Sequence, residues 1–234
     1  MSGAAAPLRG PARIAIVIPA YNEAPVIEGV LDRLMPLGHH LIVVDDGSRD
    51  STATRATRPG VVVVSHPINR GQGAALQTGI TVALRLGADV IVTFDADGQH
   101  DPADIPALVA PILAGECDVV LGSRFRGRAE RIPLARRLLL RAAVWFTWLT
   151  ANLRVTDAHN GVRAFSRSAA ERIRITMDGM AHASEILEEI AAHRLRWREV
   201  PVTVRYSEYS LAKGQRSSDS FRIAAQVLIE KLHR

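Results

Sequence analysis

The sequence predicts an α/β protein whose mostly parallel sheet carries helices on its faces, and three observations predict it. Short apolar, β-rich runs recur at residues 13–18, 40–44, 61–65, 90–94 and 118–122. Segments with apolar residues at helical spacing separate them through short links, which implies right-handed crossovers and parallel neighbours. Four of the runs end in polar or acidic residues, all at what should be the same sheet edge, and that edge is the expected site.

Each element has its own local reason. Residues 13–18 (Arg-Ile-Ala-Ile-Val-Ile) form the first strand, and Pro19-Ala20-Tyr21-Asn22-Glu23 the turn after it. From Glu23 to Leu34 the residues Val26, Ile27, Val30, Leu31 and Leu34 share one helical face. A second strand at 40–44 ends in Asp45-Asp46-Gly47-Ser48, and Asp50 or Ser51 is suited to cap a short helix behind it. The third strand, 61–65, leads through Asn69-Arg70-Gly71-Gln72-Gly73 into a long helix over about 74–86. The fourth, Val90-Ile91-Val92-Thr93-Phe94, is apolar throughout and so buried on both faces, and it stops at Asp95-Ala96-Asp97-Gly98-Gln99-His100. Pro102 favours a helix start reaching to about Leu113. A fifth strand at 118–122 ends in Ser123-Arg124. Later come a polar loop, Asp157 to Asn160, that enters a strand near Phe165, a helix over 184–193 with Ser184 as its cap, and a last strand at 197–206.

Composition narrows the function. At 234 residues the chain is one large domain with room for a substantial core. Aromatic residues make up only 5%, which argues against a stacking surface for single-stranded nucleic acid, and nucleic acid is not an expected partner. The single cysteine, Cys117, excludes an intramolecular disulfide and a cysteine-based zinc cluster. A net charge of +5 favours anionic partners such as nucleotides or the cytoplasmic face of a membrane. Residues 1–12 lack an apolar core and read as a disordered lead-in, and no stretch reaches the roughly 18 apolar residues of a spanning helix.

Between Arg124 and Arg141 lie seven arginines against one acid, Glu130, and Trp145 and Trp148 follow in an apolar run. Basic residues beside a Trp/Phe/Leu-rich helix mark a segment lying in a membrane interface, so residues 124–153 are expected to receive the acceptor at a membrane surface. An amphipathic helix packed on the sheet is the competing reading. Residues 215–234 are expected to hold a terminal amphipathic helix, with Phe221, Ala225, Leu228 and Leu232 on one face.

The chemistry is carried by acids. No dinucleotide fingerprint follows the first strand, and no Walker A sequence occurs. What remains at three strand ends is Glu23, Asp45, Asp46, Asp95 and Asp97. Carboxylates do not hold phosphate directly, so their partners are a metal, ribose hydroxyls or a base edge. Asp46 suits a nucleobase or ribose, and Asp45 suits that or a structural cap. Asp95 and Asp97, spaced i and i+2, suit Mg²⁺ or Mn²⁺ held against a diphosphate, where the cation neutralises charge on the leaving group.

In order along the chain, Pro19-Ala20-Tyr21-Asn22-Glu23, Asp45-Asp46-Gly47-Ser48, Asn69-Arg70-Gly71, Asp95 to His100, Gly122-Ser123-Arg124 and Asn160-Gly161-Val162-Arg163 resemble the family 2 glycosyltransferases of the GT-A fold, a Rossmann-like sheet flanked by helices. Within these the sequence is most similar to the dolichyl- or polyprenyl-phosphate mannose synthases, over about residues 13–214. The resemblance implies that Pro19, Tyr21 and Glu23 border the nucleotide, with Val44 and Asp46 around the base. It implies that Asp95, Ala96 and Asp97 meet the diphosphate and metal, with Gln99 completing the metal shell. Arg124 would stabilise phosphate on donor or acceptor, and Arg205 with Lys213 would close over the diphosphate. Asp97, Gln99 and Arg124 are thereby the expected catalytic residues.

An inverting transfer to a lipid phosphate agrees with these residues. A phosphate monoester has a second pKa near ~6, so its oxygen is already ionised at neutral pH and needs no strong general base. The work left to the enzyme is positioning and charge stabilisation. Arg124, Arg131 and Arg163 are the main candidates for the acceptor phosphate, with Arg126 and Arg128 as further basic neighbours, and Asp157 suits the acceptor, the sugar or a loop cap. The expected reaction moves mannose from GDP-mannose to a polyprenyl or dolichyl phosphate, by an enzyme peripherally bound at the cytoplasmic membrane, with or without a separate anchor protein. UDP-glucose or another UDP-sugar competes as donor. A soluble saccharide acceptor competes too, and would need a catalytic carboxylate such as Glu185, Glu188 or Glu189. A non-catalytic nucleotide-sugar-binding adaptor is the remaining alternative.

Overall fold

The computed structural model describes residues 11–130, 153–158, 160–179 and 181–205. Strands β1 (Ile14–Ala20), β2 (His40–Asp45), β3 (Val61–Ser65), β4 (Val90–Thr93), β5 (Val119–Glu130), β6 (Arg163–Ser166) and β7 (Trp197–Arg205) make one sheet in the order β3-β2-β1-β4-β6-β5-β7. Neighbours run parallel except at β6, which is antiparallel to both β4 and β5. The chain adds β2 and β3 on one side of β1, then crosses to place β4 on the other. The carboxyl ends of β1 and β4 therefore flank a topological switch point, where open α/β sheets bind ligands.

Alternation along the strands explains the layers. Ile16 and Ile18 of β1 face one side, with Leu41 and Val43 of β2, and are covered by α1 (Ile27–Leu34) and α4 (Ile105–Leu113). Ala15 and Val17 face the other, with Ile42 and Val44, under α3 (Gln72–Arg85) and α6 (His182–Ala192). Helix α1 buries Ile27, Val30, Leu31 and Leu34, each worth about 1.5–3 kcal/mol when removed from water. Gly79 lets α3 approach closely, since a β-carbon there would stand 2.2 Å from Val17 Cγ1.

Several elements differ from the sequence expectation. Helix α1 begins at Ile27, because the Glu23 and Ala24 amides are held by Thr52 Oγ1 and Asp50 Oδ2 at 2.8 and 3.2 Å. Asp50 rather than Ser51 serves the start of α2 (Thr52–Ala56): Thr52 N donates to Asp50 Oδ1 at 3.0 Å, and Ser51 makes no capping bond. Pro102–Asp104 is a 3-10 turn ahead of α4. A short helix, α5 (Arg167–Arg172), follows β6 and is capped by Ser166, which accepts from Ala169 N. Ser184 is not a cap, for α6 starts at His182 and buries Ser184 within its first turn.

The largest correction concerns the basic segment. Residues 124–130 continue β5, which pairs with β7 on both sides of a bulge: Ser123 faces Pro201, and Arg128 faces Thr203. The rest of the expected interfacial segment, residues 131–152, lies outside the described residues, as do the lead-in 1–10 and the expected terminal helix. Among the described residues no helix is long and apolar enough to cross a membrane.

Candidate active site

The site is built from loops at the carboxyl edge of the sheet. After β1, Asn22 takes a left-handed conformation (φ 53°). Its amide donates to Ser48 Oγ and its Oδ1 accepts from Arg49 N, both at 2.9 Å. These bonds lace the turn after β1 to the turn after β2. Tyr21 stands exposed there, and Glu23 is buried. Pro19 sits within β1 opposite Val44. Val44 is fully buried in the core under α3, so any contact it makes with a base falls to its backbone. The same holds for Ala96, whose side chain packs under α1 and α4.

Asp46 is buried and organises the loop after β3. Its Oδ1 meets His66 Nδ1 at 2.7 Å and accepts from Arg70 N at 3.0 Å, and Oδ2 accepts from Gly71 N at 2.6 Å. His66 Nε2 lies 2.9 Å from Thr78 Oγ1 on α3. Asp45, also buried, leaves Oδ1 without a hydrogen bond among the described residues.

The two acids after β4 stand in different surroundings. Both Asp95 oxygens are taken: Oδ1 accepts from Gln72 Nε2 at 2.9 Å, and Oδ2 lies 2.9 Å from His100 Nε2. Burial opposes charge on Asp95, but the hydrogen bond and field of His100, with His182 and Arg163 beyond, hold its carboxyl below the ordinary value. Asp97 spends Oδ1 on the Gln99 amide at 3.0 Å and makes no other hydrogen bond among the described residues. Burial, then the charge of Asp95, push the Asp97 carboxyl up to about 6, with Glu23 adding a smaller push. Crowded negative charge of this kind, with an open carboxylate oxygen and the oxygen-bearing Gln99 beside it, fits a hard divalent cation. No group of three or more His, Cys, Asp or Glu side chains forms a complete cage among the described residues.

The metal loop is braced from a distance. His100 forms a bridge with Val204, Arg205 N donates to Gln99 O at 2.9 Å, and the Arg205 guanidinium meets Asp101 Oδ2 at 2.9 Å. Arg205, expected over a diphosphate, is thus engaged with Asp101 here. Lys213 lies outside the described residues.

On the β5 side, Arg124 and Asp157 form a buried pair, with Nε to Oδ2 at 2.7 Å and the Arg124 amide on the same oxygen at 3.1 Å. Glu199 of β7 aims this pair, since its Oε1 accepts from Thr156 N and Asp157 N at 2.6 and 3.2 Å. Asp157 Oδ1 has no hydrogen-bond partner among the described residues. Arg163, a candidate for the acceptor phosphate, is enclosed. It is only 4% exposed, donates to Ala158 O at 3.2 Å, and lies within the field of both Asp95 and Asp157. Burial lowers its pKa to about 10. A guanidinium so enclosed supplies counter-charge behind the Asp95 and Asp157 carboxylates. Arg126 is half exposed and leans on Glu199 at 3.3 Å. Arg131 lies outside the described residues.

Gln72, His100 and Gly161 join the site without having been singled out for it. The first stood in the Gly71-Gln72-Gly73 turn after a strand, and the second adjoined the metal motif, so both had signals. Gly161 belonged to a motif whose reason was not visible.

A strand order that reverses between the parallel strands β1 and β4, with an acidic pair at that point, is the frame of the nucleotide-diphospho-sugar transferases of the GT-A fold. Residues 15–174 match the model of Glycosyl transferase family 2, and the chain belongs to that family. It is a glycosyltransferase. It is 34% identical to the UDP-N-acetylglucosamine–dolichyl-phosphate N-acetylglucosaminyltransferase of Methanococcus voltae, the match covering 94% of this chain and 96% of that one. To the polyprenol monophosphomannose synthase of Mycolicibacterium smegmatis it is 31% identical, over 94% of this chain and 86% of that one. The crystal structure of glucosyl-3-phosphoglycerate synthase from Mycobacterium tuberculosis with Mn²⁺ and UDP-glucose superposes with a TM-score of 0.72 at 25% identity, covering 93% of this chain and 77% of that chain.

Proposed function

We propose that this enzyme moves one sugar, with inversion, from a nucleoside diphosphate sugar to a polyprenyl or dolichyl phosphate. The acceptor's phosphate oxygen attacks the anomeric carbon, and the bond from that carbon to the nucleoside diphosphate breaks. The observation that carries the reading is the engagement of two of the three acids on α6, Glu185 and Glu189. Glu185 is buried and spends both oxygens on the loop before it, accepting from Thr176 N at 3.0 Å and Met177 N at 2.9 Å. Glu189 accepts from Arg174 N at 3.1 Å. Glu185 and Glu189 are thus engaged with backbone amides, which leaves Glu188 as the acid of α6 to test as a base for a sugar hydroxyl, whereas an ionised phosphate needs none.

Asp97 and Gln99 would hold Mg²⁺ or Mn²⁺ against the donor diphosphate, where the cation offsets charge on the leaving group. Tyr21, Glu23 and Asp46, with the backbone of Pro19, Val44 and Ala96, line the nucleotide's path. The Nη end of Arg124, with Nε anchored on Asp157, would meet phosphate. Arg205 would exchange Asp101 for the nucleotide diphosphate, together with Lys213. Arg131 and the segment around it would receive the lipid phosphate at the cytoplasmic membrane face, the protein being peripherally attached, alone or through an anchor protein.

GDP-mannose is the first donor, its sugar supported by the name of the mannose synthase relative. A UDP-sugar is the second reading, favoured by the name of the archaeal N-acetylglucosaminyltransferase relative and by the UDP-glucose complex of the structural neighbour. Thermal melts with Mn²⁺ plus GDP or UDP separate them. A rise with GDP alone supports mannose, a rise with UDP alone transfers the assignment to a UDP-sugar, and no rise with either contradicts nucleotide-sugar binding.

A further inference from the structure

We infer that His100 is a positioning residue for the metal and diphosphate site, and that its imidazole fixes the Asp95 carboxylate so that Asp97 is left open to the cation. The inference rests on the metal reading given above. His100 is 5% exposed, and its Nε2 lies 2.9 Å from Asp95 Oδ2. Its Nδ1 is buried with no hydrogen-bond partner among the described residues.

A ring present only to fill space would not carry a stranded nitrogen into the interior, because an apolar side chain fills the same volume without that penalty. The packing is apolar enough to accept one: Phe94 meets the His100 ring edge-on with centroids 5.7 Å apart. Nε2 is thus the reason for an imidazole at this position. Its task is geometric. Gln72 holds the other Asp95 oxygen at 2.9 Å, and the backbone that carries the His100 ring is tied to Val204 of β7. Hydrogen-bonded partners of this kind orient the groups around a metal and are felt in affinity when removed.

The test uses the full chain and reads Mn²⁺ binding by the free-ion paramagnetic resonance signal, with UDP and with GDP, so that no acceptor is needed. His100→Phe keeps the ring and deletes Nε2. It is expected to melt near the wild-type temperature while binding Mn²⁺ about 10–100-fold more weakly. In His100→Gln the side-chain amide reaches as far as Nε2 and restores binding to within a few-fold, whereas the shorter His100→Asn stays weak. Should the phenylalanine variant not fold, the Gln and Asn variants decide. Wild-type binding in His100→Phe, or equal binding in the Gln and Asn variants, would overturn the role of His100 alone. A wild-type chain that binds no Mn²⁺ with either nucleotide would overturn the metal reading, and this one with it.

Discussion

Gly161 lies against the Asp95 carboxylate so closely that a β-carbon on it would stand 2.0 Å from Oδ2 and 2.4 Å from Oδ1. The backbone cannot retreat, since Gly161 O accepts from Thr93 Oγ1 at 2.7 Å. Asp95 is therefore held by a glycine on one side and by Gln72 and His100 on the others. Gly161→Ala must displace the carboxylate. It should cost about 1–3 kcal/mol in overpacking and weaken Mn²⁺ binding in the presence of nucleotide. Thermal melting and metal titration check both, and native values in each would show that the loop yields.

Asp97 makes the metal-free enzyme less stable as pH rises. Its folded pKa, about 6, lies above the ordinary 3.8, so the folded state binds that proton more tightly than the unfolded chain does. The stability this gives is complete below about 3.8 and is lost as pH climbs through about 6. With chelator present, Asp97→Asn should exceed wild type at pH 7.5 by on the order of 2–3 kcal/mol and converge with it near pH 4. The same variant should bind Mn²⁺ poorly and transfer no sugar. Equal denaturation curves at pH 7.5 would contradict the charge crowding.

Arg124 and Asp157 are 7% and 1% exposed in their side chains. Removing one partner strands the other, so Asp157→Ala or Arg124→Ala should each cost about 3–5 kcal/mol. Replacing both with apolar residues should cost much less than the sum of the two, though activity should fall in all three. Denaturant titration of the two singles and the double completes the cycle, and additive losses would deny the coupling.

Glu185 separates the acceptor classes. As an anchor for residues 176–177, its change to Ala should lower stability by about 1–3 kcal/mol and leave kcat within a few-fold on folded enzyme. A folded Glu185→Ala variant with kcat reduced about a thousandfold or more would identify a general base and a hydroxyl acceptor.

Much of the frame could be read from local pattern. Val61–Ser65 is four valines and a serine after a glycine, and the strand keeps those limits. The acids after β4 were visible because an apolar run stops at them. The continuation of β5 to Glu130 was not visible, because its partner lies some seventy residues on in β7 and the bulge between Ser123 and Arg128 breaks any alternation. Arginines at 124, 126 and 128 then read as one basic surface, although Arg124 is buried on Asp157. The burial of Arg163 was hidden for a related reason, as spacing gives no sign that a charge is enclosed. Sequence also left the divided duties of Asp95 and Asp97 hidden, since these depend on Gln72 from α3 and His100 from the loop itself.

The central claim is transfer of sugar to a lipid phosphate, and one extraction tests it. Purified enzyme with Mg²⁺ or Mn²⁺ and polyprenyl phosphate is given radiolabelled GDP-mannose or, separately, UDP-sugars, then partitioned into organic solvent. The account predicts label in the lipid phase from one donor, abolished in Asp97→Asn. Absence of lipid-phase label from every donor, from enzyme that still binds nucleotide and Mn²⁺, would contradict it.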